Sequence, residues 1–356
     1  MAMAEEIKKT VKIAALRTGQ SKASAEANAY SADFSKEAAQ KHAADGLERT
    51  LAAFRMAGEA GADVAVSVEY ALHYGDFGSL EKQRTQKELL ETIPGPATEK
   101  VSEISKKYQM YTATNMMERD GDTTYNTTVF IGRGGKIIGK YRKVHLPAYE
   151  SWYTAPGTEY PVFETDIGRV GFSTCHDMAF PEHCRCMALS GADIILHATG
   201  GWGFVTNYAL GRALLQVRAA ENCVYIANAY TINPVLPGSC SCIVSNRGVI
   251  LAENDSQAEE GIAIAEISPD YEMKNDNLMW NFMSGVGSER MRFMLERNPA
   301  AYDALKAENP PLSEKFYPQH KYAKTPEALA EISKQYDKAR QDEFDGIPND
   351  LFKKQW

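Results

Sequence analysis

Three side chains able to do covalent chemistry stand just past the ends of apolar runs. Glu69 follows VAVSV, Lys143 follows IIGKYR and Cys175 follows GRVGFST. The ends of strands that face a crevice are where α/β sheets place their chemistry. A carboxylate can take the proton of a thiol, an ammonium can stabilise negative charge, and a thiolate can attack a carbonyl or nitrile carbon. An ordinary cysteine has a pKa of about 8.5, so such a thiol needs activation at neutral pH. A helix opening at Pro181 would add its positive end. Each residue also has a plainer reading. Glu69 could cap a helix, Lys143 could be a solvated lysine in KYRKVH, and Cys175 could be buried and inert. Position in the chain alone does not make the three meet.

The elements that would carry them alternate. VKIAALR, VAVSVE, MYTATNMME, GRVGFSTC, IILHATG, VYIANAYT and GIAIAEIS have the short apolar runs of strands. TTYNTTVFIGRGGKIIGKYRKVHL and GSCSCIVSNRGVILAE are patterned as hairpins around Arg-Gly-Gly and Asn-Arg-Gly turns. Leu47, Leu51 and Phe54 have helical spacing in a segment expected to stop at Gly58 and Gly61. ATEKVSEISKKYQ, PEHCRCMALSGAD with Pro181 in its first turn, and NYALGRALLQVRAAENC are further helices. Residues 18–43 are expected to be a polar surface insertion. The pattern predicts mixed sheets with helices on their faces. From about residue 270 the chain turns charged and Pro-punctuated. The expected organisation is a domain over 1–285 and an extension over 286–356 that lies on a partner subunit.

The 356 residues carry 39 Lys and Arg against 47 Asp and Glu, a net charge of -8 that gives no support to nucleic-acid binding. No apolar window is long enough to span a membrane. MAMAEEIKKT lacks the apolar core of a signal peptide, so a cytoplasmic location is the default expectation. Of the six cysteines, 184/186 and 240/242 are spaced C-x-C without a histidine cluster, a weak zinc signal. No metal and no cofactor are expected, and five of the cysteines are expected to be reduced and mostly buried.

Four segments together resemble the nitrilase superfamily, the carbon–nitrogen hydrolases, across most of residues 8–270. GADVAVSVE resembles the motif ending in its glutamate, and GKYRKVHLP the lysine motif. GFSTCHDMAFPEHCRCMALSGADIILHATG resembles the cysteine motif, and GRALLQVRAAENCVYIANA the late helix–strand segment. The resemblance implies an α/β fold, a four-layer α-β-β-α sandwich, with a Glu69–Lys143–Cys175 triad. It also implies a second glutamate, Glu150, that holds the lysine or the substrate. The family usually has proline where this chain has Val68, which leaves the carboxylate in place.

By the same resemblance, Glu69 takes the Cys175 proton, the thiolate attacks, and Lys143 with the His176 N–H stabilises the oxyanion. Water then hydrolyses the thioester. Nitrilases proper resemble one another in Cys-Trp-Glu, whereas this chain has Cys175-His176-Asp177. Amide or N-carbamoyl hydrolysis of a small molecule is therefore expected, releasing ammonia or an amine. The arginine pair of D-amino-acid carbamoylases is replaced by Met178 and Ala179, which cannot clamp a carboxylate. Tyr70, His73, Tyr149, Trp152, His176 and Trp202 are candidate substrate contacts, with Tyr74 and Tyr153 beside them; core packing is the plainer reading of each. A direct Cys175–His176 dyad is not expected, since neighbours on an extended chain point to opposite faces. A homodimer or larger homo-oligomer is expected from the family. Two alternatives stand: a nitrilase acting on a nitrile, and a non-catalytic binding protein on the same fold.

Overall fold

A computed structural model describes residues 8–19, 35–71, 89–147, 150, 154–201, 208–232, 240–256, 259–269, 271 and 287–306. The chain divides into two compact units, Met1–Glu296 and Arg297–Trp356.

In the first unit the strands are β1 (Val11–Arg17), β2 (Val64–Val66), β3 (Tyr111–Asp120), β4 (Thr123–Ile131), β5 (Ile137–Arg142), β6 (Phe163–Thr165), β7 (Gly168–Thr174), β8 (Ile194–Thr199), β9 (Tyr225–Tyr230), β10 (Ser241–Val244), β11 (Ile250–Asn254) and β12 (Gly261–Ile267). They form two six-stranded mixed sheets, ordered β12-β1-β2-β3-β4-β5 and β11-β10-β9-β8-β7-β6. The helices are α1 (Lys36–Glu59), α2 (Pro96–Tyr108), α3 (Pro181–Leu189), α4 (Tyr208–Asn222) and α5 (Glu289–Leu295).

Strand alternation builds the layers. In β1, Ala14 and Leu16 join the core that α1 supplies with Leu47, Leu51 and Phe54. Ile13 and Ala15 face the other way, into the core shared with Phe172, Leu196 and Ala227 of the second sheet. That second core continues to Cys184 and Met187 of α3 and Leu215 and Ala219 of α4. The order is therefore helices, sheet, sheet, helices, the four-layer sandwich. β1, β2 and β3 run parallel, as do β7, β8 and β9. Their C-terminal ends present the loops that follow them.

Three local expectations change. Residues 36–43 are not part of an insertion: α1 begins at Lys36, where Ser35 accepts the N–H of Ala38. The serine cap and the alanines at 39 and 43 make a first turn that a hydrophobic count passes over. Gly58 does not stop the helix, which runs to Glu59; Gly61, at φ 76°, makes the turn. β2 ends at Val66, so Glu69 lies on the loop beyond it.

The helix α5 belongs to the first unit. Its buried Arg290 pairs with Asp193 and donates to the carbonyl of Ala192 at 2.6 Å. In the second unit the described residues form two 3-10 turns, Pro299–Ala301 and Asp303–Lys306.

Candidate active site

Glu69, Lys143, Glu150 and Cys175 lie in one buried cluster, each less than a tenth exposed. Lys143, directly after β5, sets its Nζ 2.9 Å from Glu69 Oε1 and 2.6 Å from Glu150 Oε2. Burial works against the ammonium, but the Glu69 and Glu150 carboxylates outweigh it and hold the Lys143 pKa well above that of an ordinary lysine. Burial raises the Glu150 pKa despite the lysine beside it. Glu69 also accepts the N–H of Gly200, just past β8, at Oε2 (2.9 Å).

Cys175 begins a 3-10 turn, Cys175–Ala179, at φ 44°. A non-glycine residue in that region is uncommon, and such strain gathers at functional sites. Its Sγ lies 3.0 Å from the Gly201 carbonyl oxygen. Burial raises the thiol pKa first, the Glu69 charge raises it further and the Lys143 charge opposes both. The backbone here is a tight turn, so the alternation argument against a Cys175–His176 pair does not apply. The described hydrogen-bond acceptor of Sγ is nevertheless Gly201, and the His176 ring lies edge-on to Phe180 at 5.3 Å. Burial and the charge of Lys143 lower the His176 pKa.

Tyr70 is at the site: its hydroxyl donates to Glu150 Oε1 at 3.0 Å. His73, Tyr74, Tyr149, Trp152, Tyr153 and Trp202 lie outside the described residues.

Two residues that the sequence reading passed over complete the cluster. The Nδ2 of Asn126 lies 2.9 Å from Glu69 Oε1 and 2.8 Å from Glu150 Oε1. The fully buried Asp177 joins the lysine segment to the cysteine turn. Its Oδ2 accepts from the Tyr141 hydroxyl (2.6 Å) and the Thr174 N–H (2.9 Å), and its Oδ1 accepts from the His145 N–H (2.9 Å). Burial opposes the Asp177 charge, but His183, His145 and Tyr141 prevail and keep its pKa below the usual carboxylate range. Asn is disfavoured in strands, and that was the available signal for Asn126.

Among the described residues one set of donor atoms is close enough to hold a metal ion. The ligand atoms of His145, Asp177 and His183 lie within 4.8 Å of one another. Asp177 Oδ1 already accepts the His145 backbone N–H and stands 3.0 Å from that ring's Nδ1, so hydrogen bonds account for the arrangement. The six cysteines are free, and Cys186 alone of them is only partly buried.

Residues 20–273 match the family described as Carbon-nitrogen hydrolase. A nitrilase of Pyrococcus abyssi is 36% identical over 186 residues, 51% of this chain and 68% of that one. An omega-amidase of Homo sapiens is 31% identical over 194 residues, 51% of this chain and 69% of that one. A double mutant of an amidase from Nesterenkonia sp. in complex with acrylamide superposes with a TM-score of 0.57 at 20% identity, over 78% of this chain and 98% of that one. With the family matched over residues 20–273, which include β2 to β12 and the site, the chain belongs to the carbon–nitrogen hydrolases and is an enzyme that hydrolyses C–N bonds.

Proposed function

We propose that this enzyme hydrolyses an amide or N-carbamoyl bond of a small molecule through a thioester on Cys175. The observation that carries the reading is the burial of one thiol with one ammonium and two carboxylates, of which Glu69 bears on the thiol more than Glu150 does. Glu150 meets donors on both oxygens: Tyr70 and Asn126 at Oε1, Lys143 at Oε2. Glu69 is held at Oε1 by Lys143 and Asn126 and at Oε2 by Gly200, the residue before Gly201 whose carbonyl meets Cys175 Sγ, so its Oε2 edge lies on the cysteine side.

Glu69 is accordingly the base. As the carbonyl carbon closes on Sγ, the thiol proton passes to Glu69 while the carbonyl π pair moves to oxygen. Lys143 and the His176 N–H stabilise that oxyanion. Its collapse expels the nitrogen, which takes the proton from Glu69 and leaves as ammonia or an amine. Water, deprotonated by Glu69, then attacks the thioester, and the sulfur recovers its proton. Glu150 keeps Lys143 in place, and Tyr70 and His176 border the substrate. No cofactor enters this scheme, because the thiol supplies the covalent step.

The test is ammonia release across paired aliphatic amides and nitriles. The reading requires turnover of amides, none by Cys175→Ala, and losses of several orders of magnitude, not additive, in Glu69→Gln and Lys143→Met. The similarity to a protein named nitrilase supports a second reading, and hydrolysis of the nitrile of each pair alone would select it. No turnover of any pair, with Cys175 no more reactive than the other thiols, would favour a non-catalytic binding protein.

No helix among the described residues is long and apolar enough to cross a membrane. We infer a cytoplasmic enzyme of small molecules whose C-terminal extension lies on a second copy in a homo-oligomer. The load of aromatic side chains between Tyr302 and Trp356 supports this reading, being too large for a freely solvated segment.

A further inference from the structure

We propose that Asn126 is a positioning residue that fixes both carboxylates and the lysine backbone of the site, with its amide oriented by Asn115. This deepens the functional reading above and rests on it.

The orientation follows from bonds that admit one solution. The backbone N–H of Tyr70, the residue after Glu69, donates to Asn115 Oδ1 at 2.7 Å. That bond identifies the Asn115 oxygen, so the amide nitrogen is the atom that donates to Asn126 Oδ1 (2.9 Å) and to Thr128 Oγ1 (3.1 Å). With its oxygen so used, Asn126 turns both N–H groups of Nδ2 toward Glu69 Oε1 and Glu150 Oε1, at 2.9 and 2.8 Å. Asn115 and Asn126 are both fully buried, on the paired strands β3 and β4. The Asn126 carbonyl also accepts the backbone N–H of Lys143 at 2.8 Å.

One residue therefore touches all three charged members of the site. Its side chain gives each carboxylate a donor, and its backbone sets the strand end from which Lys143 reaches them. Its amide favours the ionised form of Glu150 without adding charge. The other titratable groups bearing on Glu69 and Glu150, among the described residues, are Lys143, Cys175, Tyr70 and His176.

The test uses iodoacetamide as the probe and the alkylation rate of Cys175 against pH as the readout, in the full chain. Asn126→Ser removes a donor from the buried carboxylates, so the acid limb of the profile should move up by about one pH unit. Ammonia release from amide substrates should fall in kcat more than it rises in KM. Asn115→Ser, which frees the Asn126 amide to rotate, should move the limb in the same direction by less, and it serves if Asn126→Ser does not fold. An unmoved limb in a folded variant, with only the melting temperature lowered, would overturn the proposal. If wild-type Cys175 is not alkylated above the rate of the other cysteines, the functional reading fails, whatever Asn126 does.

Discussion

The hydroxyl of Tyr141 donates to the carboxylate of Asp177 at 2.6 Å, across the space between the strand that carries Lys143 and the turn that carries Cys175. Tyr141 is two residues before Lys143, and His145, two residues after it, donates its N–H to the same carboxylate. Thr174, one residue before Cys175, supplies a further donor. A single buried charge thus sets the spacing of an ammonium and a nucleophile that come from different sheets.

Asp177→Asn should therefore harm both stability and rate. It replaces one acceptor oxygen with a donor and sets that donor against donors. A buried group left unsatisfied costs about 1–3 kcal/mol. Misplacement of reacting groups by an ångström can cost about 100-fold in rate. Urea denaturation and ammonia release should both show the loss, and a variant unchanged in both would remove Asp177 from this role.

Acid should weaken the fold before it protonates Asp177. Burial pushes the pKa of His197 down to about 3 and lowers that of His183. Both are fully buried and are neutral in the folded chain at neutral pH. The unfolded chain takes up these protons near pH 6.5, so stability falls as pH drops below that value and keeps falling to the folded pKa. The slope is at most about 1.4 kcal/mol per pH unit for each histidine. Asp177 acts in the same direction at lower pH: its lowered pKa contributes stability present above the ordinary aspartate range and lost as pH falls from that range through the folded value. Urea midpoints at pH 7 and pH 5 should differ, and His197→Gln should narrow the gap. Equal midpoints in the wild type would contradict the assignment of neutral buried histidines.

Truncation should separate the anchor from the extension. Asp193 is bound by Arg290 from α5 and by Arg169 Nε and Nη2 at 2.9 and 2.8 Å. Removing one partner of a buried pair costs about 3 kcal/mol or more. Arg290→Ala and a chain ending at Gly285 should both melt early. A chain ending at Glu296 should keep its melting temperature and lose assembly by light scattering. An unchanged oligomer in that chain would show that residues 297–356 do not hold copies together.

The sequence made the strand order of chemistry plain, because Glu69, Lys143 and Cys175 each follow an apolar run whose period is that of a strand. The four motif segments placed them on one fold. Cys175 itself defeated the local argument, since a residue at φ 44° cannot be told from the end of an extended strand by hydrophobic pattern. Asn126 and Asp177 were not legible because their importance lies in contacts across strands and between sheets, such as Asp177 with Tyr141 and Asn126 with Glu69. The start of α1 was missed because small alanines carry little hydrophobic signal even when buried, as Ala39 and Ala43 are.

The central claim is a covalent bond between Cys175 and the acyl part of the substrate. The direct measurement is acid-quenched turnover of an amide found active, followed by peptide mass spectrometry. The account predicts an acyl mass on the peptide containing Cys175, enriched in a slow-deacylating substrate and absent from Cys175→Ala, which should release no ammonia. Ammonia release by Cys175→Ala at a rate near that of the wild type would contradict it.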